Sequence, residues 1–168
     1  MSWIFRRFFP RLFVEDVGSI DLEKLKRLGI RGLVVDLDNT LVAWSAYEVP
    51  LEVTEWIKTA KNLGFSICIV SNALEDRVAY FSKLFAIPGI SRAQKPRRGA
   101  FRSALEALGL KKEEVAVIGD QVFTDVWGGN RLGLYTILVR PVSPREFFTT
   151  KIGRVLERWV LRRFKPGD

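Results

Sequence analysis

The sequence predicts an α/β fold, a three-layer doubly wound parallel sheet with no lid domain inserted into it. Apolar, β-branched runs at residues 33–35, 65–70, 115–118 and 134–139 alternate with stretches of helical periodicity, the pattern of a parallel sheet with helices on both faces. Three of these runs end abruptly in acids, hydroxyls or amides, which a buried parallel strand tolerates only at its carboxyl end, where open α/β sheets place their ligands. At 168 residues the chain has the length of one domain with a core of ordinary size.

Residues 1–13 mix aromatics with Arg6, Arg7 and Arg11. That composition suits the headgroup boundary of a bilayer; equally, Phe8, Phe9, Leu12 and Phe13 fold back on the core. Asp21 starts a short helix in which Leu22, Leu25 and Leu28 line up, and Gly29 ends it. The first clear strand begins at Leu33 and runs into Asp36, Asp38, Asn39 and Thr40. Pro50 opens an amphipathic helix to about Leu63, with Val53, Trp56, Ile57 and Ala60 on one face and Gly64 after it. A second buried strand, Phe65 to Val70, stops in Ser71-Asn72, and a helix follows from about Glu75 to Phe85. After a short apolar stretch at Ile87 to Ile90, proline in Lys95-Pro96 keeps Lys95 out of helical conformation, ahead of a helix near Gly99 to Leu108.

Val115 to Ile118 is a third strand, leading into Gly119-Asp120 and on to Asp125. The next helix is expected to pass Trp127 and stop at Gly128-Gly129-Asn130, before a last strand at Leu134 to Val139. From Lys151, Ile152, Val155, Leu156, Trp159, Val160 and Phe164 share a face at helical spacing, opposite Lys151, Arg154, Arg158, Arg162 and Arg163. Such a helix docks on the sheet or binds a lipid surface or partner. The expectation is one domain over 1–168, with a core of about 14–142 and basic amphipathic ends at 1–13 and 151–168.

The polar strand ends carry the candidate chemistry. Asp36 and Asp38, two apart on an extended chain, face the same side. Their mutual repulsion is offset by a divalent cation or by one of them keeping a proton. Either suits phosphoryl transfer: Asp36 attacks phosphorus, and Asp38 protonates the leaving oxygen and later deprotonates water. An Asp-rich turn capping the next helix is the competing reading. Ser71, with Asn72, offers a hydroxyl and adjoining N–H groups to a phosphate oxygen, or caps a helix. Lys95 neutralises a phosphoryl oxygen and restrains Asp36, or is a solvated surface lysine. Magnesium prefers carboxylate oxygen, which makes Asp36 and Asp120 a reasonable ligand pair, with Asp125 behind them or bound through water.

Composition removes the competing chemistries. The chain has no histidine, which excludes Ser-His-Asp, Cys-His and His-ligated zinc sites, and its single cysteine, Cys68, excludes an intrachain disulfide and suits a reducing compartment. The net charge of +8 sits at the ends: residues 1–13 hold three arginines and no acid, and residues 143–168 hold seven bases against three acids. No apolar run approaches the roughly 20 residues of a spanning helix, and the arginines break the amino terminus too early for a signal-peptide core. The expected place is cytoplasmic, peripheral at the inner face of the membrane. Clustered carboxylates weigh against a nucleic-acid module, and no oligomeric state follows from the sequence.

Four motifs in order over about 90 residues resemble the haloacid dehalogenase (HAD) superfamily of phosphatases: Asp36-Leu37-Asp38-Asn39-Thr40-Leu41, Ser71, Lys95, and Gly119-Asp120 through Asp125. The stretches Ser71-Asn72-Ala73, Gln94-Lys95-Pro96, Gly119-Asp120-Gln121 and Gly128-Gly129-Asn130 are similar to the YqeG-type branch, related to mitochondrial phosphatidylglycerophosphate phosphatases. The resemblance implies a HAD-like Rossmannoid sheet, Asp36 as nucleophile and Asp38 as acid/base. It also implies Mg²⁺ held by Asp36, the Asp38 backbone carbonyl and Asp120, with Asp125 nearby, and substrate contacts from Asn39, Thr40, Ser71, Asn72 and Lys95. The implied substrate is a phosphorylated lipid, phosphatidylglycerophosphate, at an anionic membrane surface; a soluble nucleotide, sugar phosphate or phosphoprotein is the alternative. Only about 23 residues separate Leu41 from the second strand, and 23 separate Asn72 from Lys95. Each gap holds a helix and its turns and leaves no room for a lid.

Overall fold

A computed structural model of the chain describes residues 6–143 and residue 162. The amphipathic helix expected from Lys151 therefore lies outside the described residues, as do residues 1–5. The strands β1 (Leu12–Val14), β2 (Gly32–Val35), β3 (Ser66–Val70), β4 (Gly89–Ile90), β5 (Val115–Gly119) and β6 (Tyr135–Val139) form one sheet in the order β1-β6-β5-β2-β3-β4. Every pairing is parallel. The helices are α1 (Leu22–Arg27), α2 (Leu51–Asn62), α3 (Glu75–Phe85), α4 (Arg98–Leu108) and α5 (Trp127–Asn130).

Alternation of side chains along each strand divides the core into two layers. Leu33, Val35, Ile67, Ile69 and Ile118 pack with Val53, Trp56, Ile57 and Ala60 of α2 and Val78, Phe81 and Phe85 of α3. Val34, Cys68, Val70 and Val117 face the other way, onto Ala100, Phe101 and Ala104 of α4. The result is the three-layer, doubly wound α/β sheet that the sequence predicts. Phe81 and Phe101 are fully buried, and each such side chain contributes about 1.5–3 kcal/mol of transfer free energy. Asp21 caps α1, its carboxylate accepting the Lys24 N–H at 2.8 Å, and α4 ends at Gly109 in the left-handed region (φ 64°). Among the described residues no domain is inserted between β2 and α2 or between β3 and α4, and no helix is long and apolar enough to cross a membrane.

Two local expectations change. The sheet starts before residue 14, because Leu12, Phe13 and Val14 pair with Ile137, Leu138 and Val139. Phe8 and Phe9 pack against Val122, Val126 and Leu138, and the Asn130 amide donates to the carbonyls of Arg7 and Phe9, both at 2.9 Å. For this segment the core-packing alternative, not the lipid-facing one, describes Phe8, Phe9 and Leu12. Phe13 stays exposed, with the Arg140 guanidinium 5.8 Å from its ring.

The glycine pair does not stop the helix. After a π-helical turn at Val122–Val126, α5 runs through Gly128 and Gly129 to Asn130. A Cβ on Gly128 would lie 2.5 Å from the Phe101 ring, and one on Gly129 would lie 2.7 Å from Thr136 Cγ2. Close packing against α4 and β6 explains these glycines.

Candidate active site

The order β5-β2-β3 sets three polar strand ends side by side. Val35 pairs with Ile69 on one flank and Ile118 on the other, so Asp36, Ser71 and Asp120 follow at the same edge. The Asp36 N–H still donates to Ile118 O at 2.9 Å. Beyond it the chain winds into a tight turn in which the N–H groups of Leu41 and Val42 donate to Leu37 O at 3.0 and 3.2 Å. Asn39 adopts φ 62° there, a left-handed conformation that asparagine accepts more readily than most residues. Its amide oxygen accepts the N–H groups of Trp44 at 3.3 Å and Ser143 at 3.2 Å.

Asp36, Asp120 and Asp125 each bring a carboxylate oxygen within 4.8 Å of the others, and all three are buried. The Thr40 hydroxyl lies 3.1 Å from Asp36 Oδ2 and 3.4 Å from Asp120 Oδ1. Lys95 Nζ donates to Asp36 Oδ1 and Asp125 Oδ1, each at 2.6 Å, from a side chain only 3% exposed. The loop that carries this lysine hangs from the end of β3. Asn72 Oδ1 accepts the Lys95 N–H at 2.8 Å, and the Ala93 N–H donates to Ser71 O at 3.0 Å. Asp125 folds back over the strand end, where Oδ2 accepts the Gln121 N–H at 3.2 Å. A Cβ on Gly119 would lie 2.2 Å from the Asp125 carboxyl carbon, so only glycine leaves room for that carboxylate.

The electrostatics follow from one ammonium among three buried carboxylates. Burial works against charge on Lys95, but Asp125 and Asp36 outweigh it and raise its pKa above the usual lysine range. Burial pushes the Asp125 carboxyl up to about 6, with Asp36 adding to the rise and Lys95 and the Gln121 N–H pulling back. A surplus of negative charge remains. Hard oxygen donors at this spacing, with that surplus, fit a magnesium-type cation.

The cluster opens onto a cavity of about 290 Å³ whose wall includes Asp36, Asp38, Ser71, Asn72 and Lys95, with Trp44 at one side. Several expected roles shift with the geometry. Thr40, expected at the substrate, is buried away from the cavity wall and holds carboxylates instead. Asp38, expected at the metal through its backbone carbonyl, keeps its side chain outside the carboxylate group; its Oδ1 accepts Arg77 Nη2 at 2.7 Å and Nε at 3.0 Å. Asn39 and Asn72 line the cavity while their amide oxygens hold backbone N–H groups. Ser71 Oγ accepts the Ala73 N–H at 3.1 Å. Sequence reasoning missed Arg77 and Trp44. An arginine following Glu75-Asp76 in a first helical turn reads as a surface ion pair, and Trp44 sits in a stretch with no periodicity.

The chain is similar to known proteins in sequence and in fold. Residues 92–141 match a family model described as HAD-hydrolase-like, and residues 4–80 match one described as mitochondrial PGP phosphatase. The Bacillus subtilis protein named Probable phosphatase YqeG is 44% identical over 158 residues, covering 94% of this chain and 92% of that one. Phosphatidylglycerophosphate phosphatase 1 of Arabidopsis thaliana is 29% identical over 95% of this chain, which spans only 50% of that relative's length. In fold, a structure from Listeria monocytogenes superposes with a TM-score of 0.56 at 16% identity, covering 79% of this chain and 99% of that one. The cobalt-bound deoxy-D-mannose-octulosonate 8-phosphate phosphatase of Haemophilus influenzae gives 0.53 at 13% identity, covering 82% and 90%. Identity of 44% to YqeG along nearly its whole length, with a HAD-type model matching residues 92–141, places the chain among the haloacid dehalogenase-like phosphatases, in their YqeG-type branch.

Proposed function

We propose that the protein is a Mg²⁺-dependent phosphomonoesterase working through an aspartyl-phosphate on Asp36. The proposed substrate is phosphatidylglycerophosphate, presented at the cytoplasmic face of an anionic membrane. The observation that carries this reading is Asp36 itself: a carboxylate in the wall of an open cavity, oriented by Thr40 and Lys95 and flanked by Asp120 and Asp125.

In the proposed mechanism Asp36 attacks phosphorus as the bond to the leaving alcohol breaks, and Asp38, in the same cavity wall, gives that oxygen its proton. Asp38 then takes a proton from water as the water attacks the aspartyl-phosphate, which releases phosphate and restores Asp36. Lys95 holds Asp36 in one orientation and faces the charge that builds on the phosphoryl oxygens. Ser71 and the backbone beside it receive another of those oxygens. Mg²⁺ would be held by Asp36 and Asp120, with Asp125 adjacent, and supplies charge to offset both the crowded carboxylates and the phosphoryl group.

The lipid substrate is supported by the match of residues 4–80 to the PGP phosphatase model and by the plant relative. An open site, with no lid domain inserted among the described residues, also suits a phosphate carried on a headgroup too large to enclose. The deciding experiment measures phosphate release from phosphatidylglycerophosphate in mixed micelles alongside soluble nucleotides, sugar phosphates and phosphopeptides. Asp36→Asn should abolish release while the circular dichroism spectrum stays native. Retained turnover would sink the mechanism, and a soluble ester preferred in the presence of detergent would replace the lipid.

A further inference from the structure

Among the described residues Arg77 is a firmly held cation that phosphoryl transfer does not use, bonded to the cavity residue Asp38. It stands in the first turns of α3, yet its side chain is only 12% exposed. Its Nε and Nη2 both donate to a single oxygen of Asp38, Oδ1, at 3.0 and 2.7 Å, and Nη2 also reaches Ala43 O at 3.5 Å. Its carbon Cζ lies 5.1 Å from the ring of Phe81, a fully buried residue of the same helix, and 5.1 Å from the ring of Tyr47 in the β2–α2 connection. The rings of Tyr47 and Phe81 stack at 5.9 Å. Nη1 is buried with no hydrogen-bond partner, a cost the fold bears to keep the guanidinium in this slot.

The pairing is one-sided. Both Arg77 bonds fall on Oδ1, and no hydrogen bond among the described residues reaches Asp38 Oδ2, although Asp38 lines the cavity. Asp36 differs, with Oδ1 held by Lys95 and Oδ2 by Thr40. A carboxylate fixed through one oxygen, with the other left for a reacting proton, is the geometry that proton transfer to a leaving group needs. Asp38 lies in a tight turn, so without Arg77 nothing described here fixes its side-chain torsions.

We propose that Arg77 is a positioning residue for the proton-transferring carboxylate: packed against the stacked rings of Tyr47 and Phe81, it holds Asp38 by Oδ1 so that Oδ2 meets the leaving oxygen. This inference rests on the reading of Asp38 as acid/base. It assigns Arg77 to departure of the alcohol and not to binding of the phosphoryl group.

The test compares two esters on the full chain with Mg²⁺: 4-nitrophenyl phosphate, whose phenolate departs without a proton, and ethyl phosphate, whose alkoxide requires one. The quantity is kcat/KM, which reports only the steps up to departure of the alcohol. Arg77→Met should lower kcat/KM for ethyl phosphate by about 10–100-fold, the scale of a misplaced catalytic group, and for 4-nitrophenyl phosphate by less than about threefold. Arg77→Lys, which restores one donor, should show a smaller loss with the same selectivity, and carries the comparison if the methionine variant does not fold. Equal losses on both esters in a folded variant, or no loss on either, overturn the proposal. Asp38→Asn separates the two levels. If it too fails to discriminate between the esters, the acid/base reading falls; if it discriminates and the Arg77 variants do not, only the positioning role falls.

Discussion

Replacing Lys95 with methionine tests the charge arithmetic of the site directly. The substitution keeps most of the side-chain volume, so the cavity cost is small, but it deletes the cation bonded at 2.6 Å to both Asp36 and Asp125. Those carboxylates are 9% and 2% exposed, and removing one partner of a buried ion pair typically costs about 3–5 kcal/mol. Against a total stability of about 5–15 kcal/mol, that is a large fraction. The assay is urea unfolding followed by tryptophan fluorescence, at pH 7.5 with a chelator present. Saturating Mg²⁺ should then return much of the loss, since a ligand at a hundred times its Kd stabilises by about 2.7 kcal/mol. Acid should help as well. The folded Asp125 carboxyl is pushed up to about 6 from an ordinary 3.8, so its proton stabilises the fold below that ordinary value and the benefit is lost as pH rises through 6. Without Lys95 the window extends upward, and the variant's deficit should shrink between pH 7.5 and 5. A loss below about 1 kcal/mol in chelator, or a deficit that Mg²⁺ deepens, would refute the placement of a single ammonium among three buried acids.

Three further outcomes follow from the same geometry. Gly119→Ala drives a methyl into the Asp125 carboxyl, 2.2 Å away; stability should fall by about 1–3 kcal/mol and phosphate release more than about tenfold, and wild-type turnover would contradict the close approach. Cys68 is fully buried and its thiol is pushed up from 9.0 to about 11. The folded chain therefore keeps this proton while the unfolded chain loses it, and stability should fall between pH 9 and 11 by roughly 1–3 kcal/mol more in wild type than in Cys68→Ala; parallel pH curves would count against it. Chelation should stop hydrolysis and Mg²⁺ restore it, with Asp120→Asn needing at least about tenfold more Mg²⁺; an unchanged Mg²⁺ dependence would remove Asp120 from the metal site.

The sheet and its acidic edge were legible because they break a rule visibly. A buried apolar strand that stops in Asp36, Ser71 or Asp120 has few purely structural explanations, and three such ends in register point to one place. Lys95 was legible through Pro96, which fixes the backbone just beyond it. What escaped was geometry without local pattern. β1 is three residues long and β4 two, too short for an alternation to register, and β1 draws its partner from the far end of the chain. Arg77 reaches Asp38 across 39 positions, which no helical spacing encodes. Gly128 and Gly129 read as a helix stop because local propensity is all a sequence offers there; contact with Phe101 and Thr136 overrides it. The basic helix expected from Lys151 lies outside the described residues.

The pairing of Leu12 with Ile137 has a consequence for synthesis on the ribosome. β2 and β3 are translated close together and can zip at once, whereas the opposite flank of β2 must wait for β5, about 80 residues later. Until then the nascent chain carries an open, apolar edge at Leu33–Val35, the kind of surface that recruits stray strands. β1 waits longest, and its aromatic neighbours Phe8 and Phe9 go unsheltered until β6 has emerged to receive them.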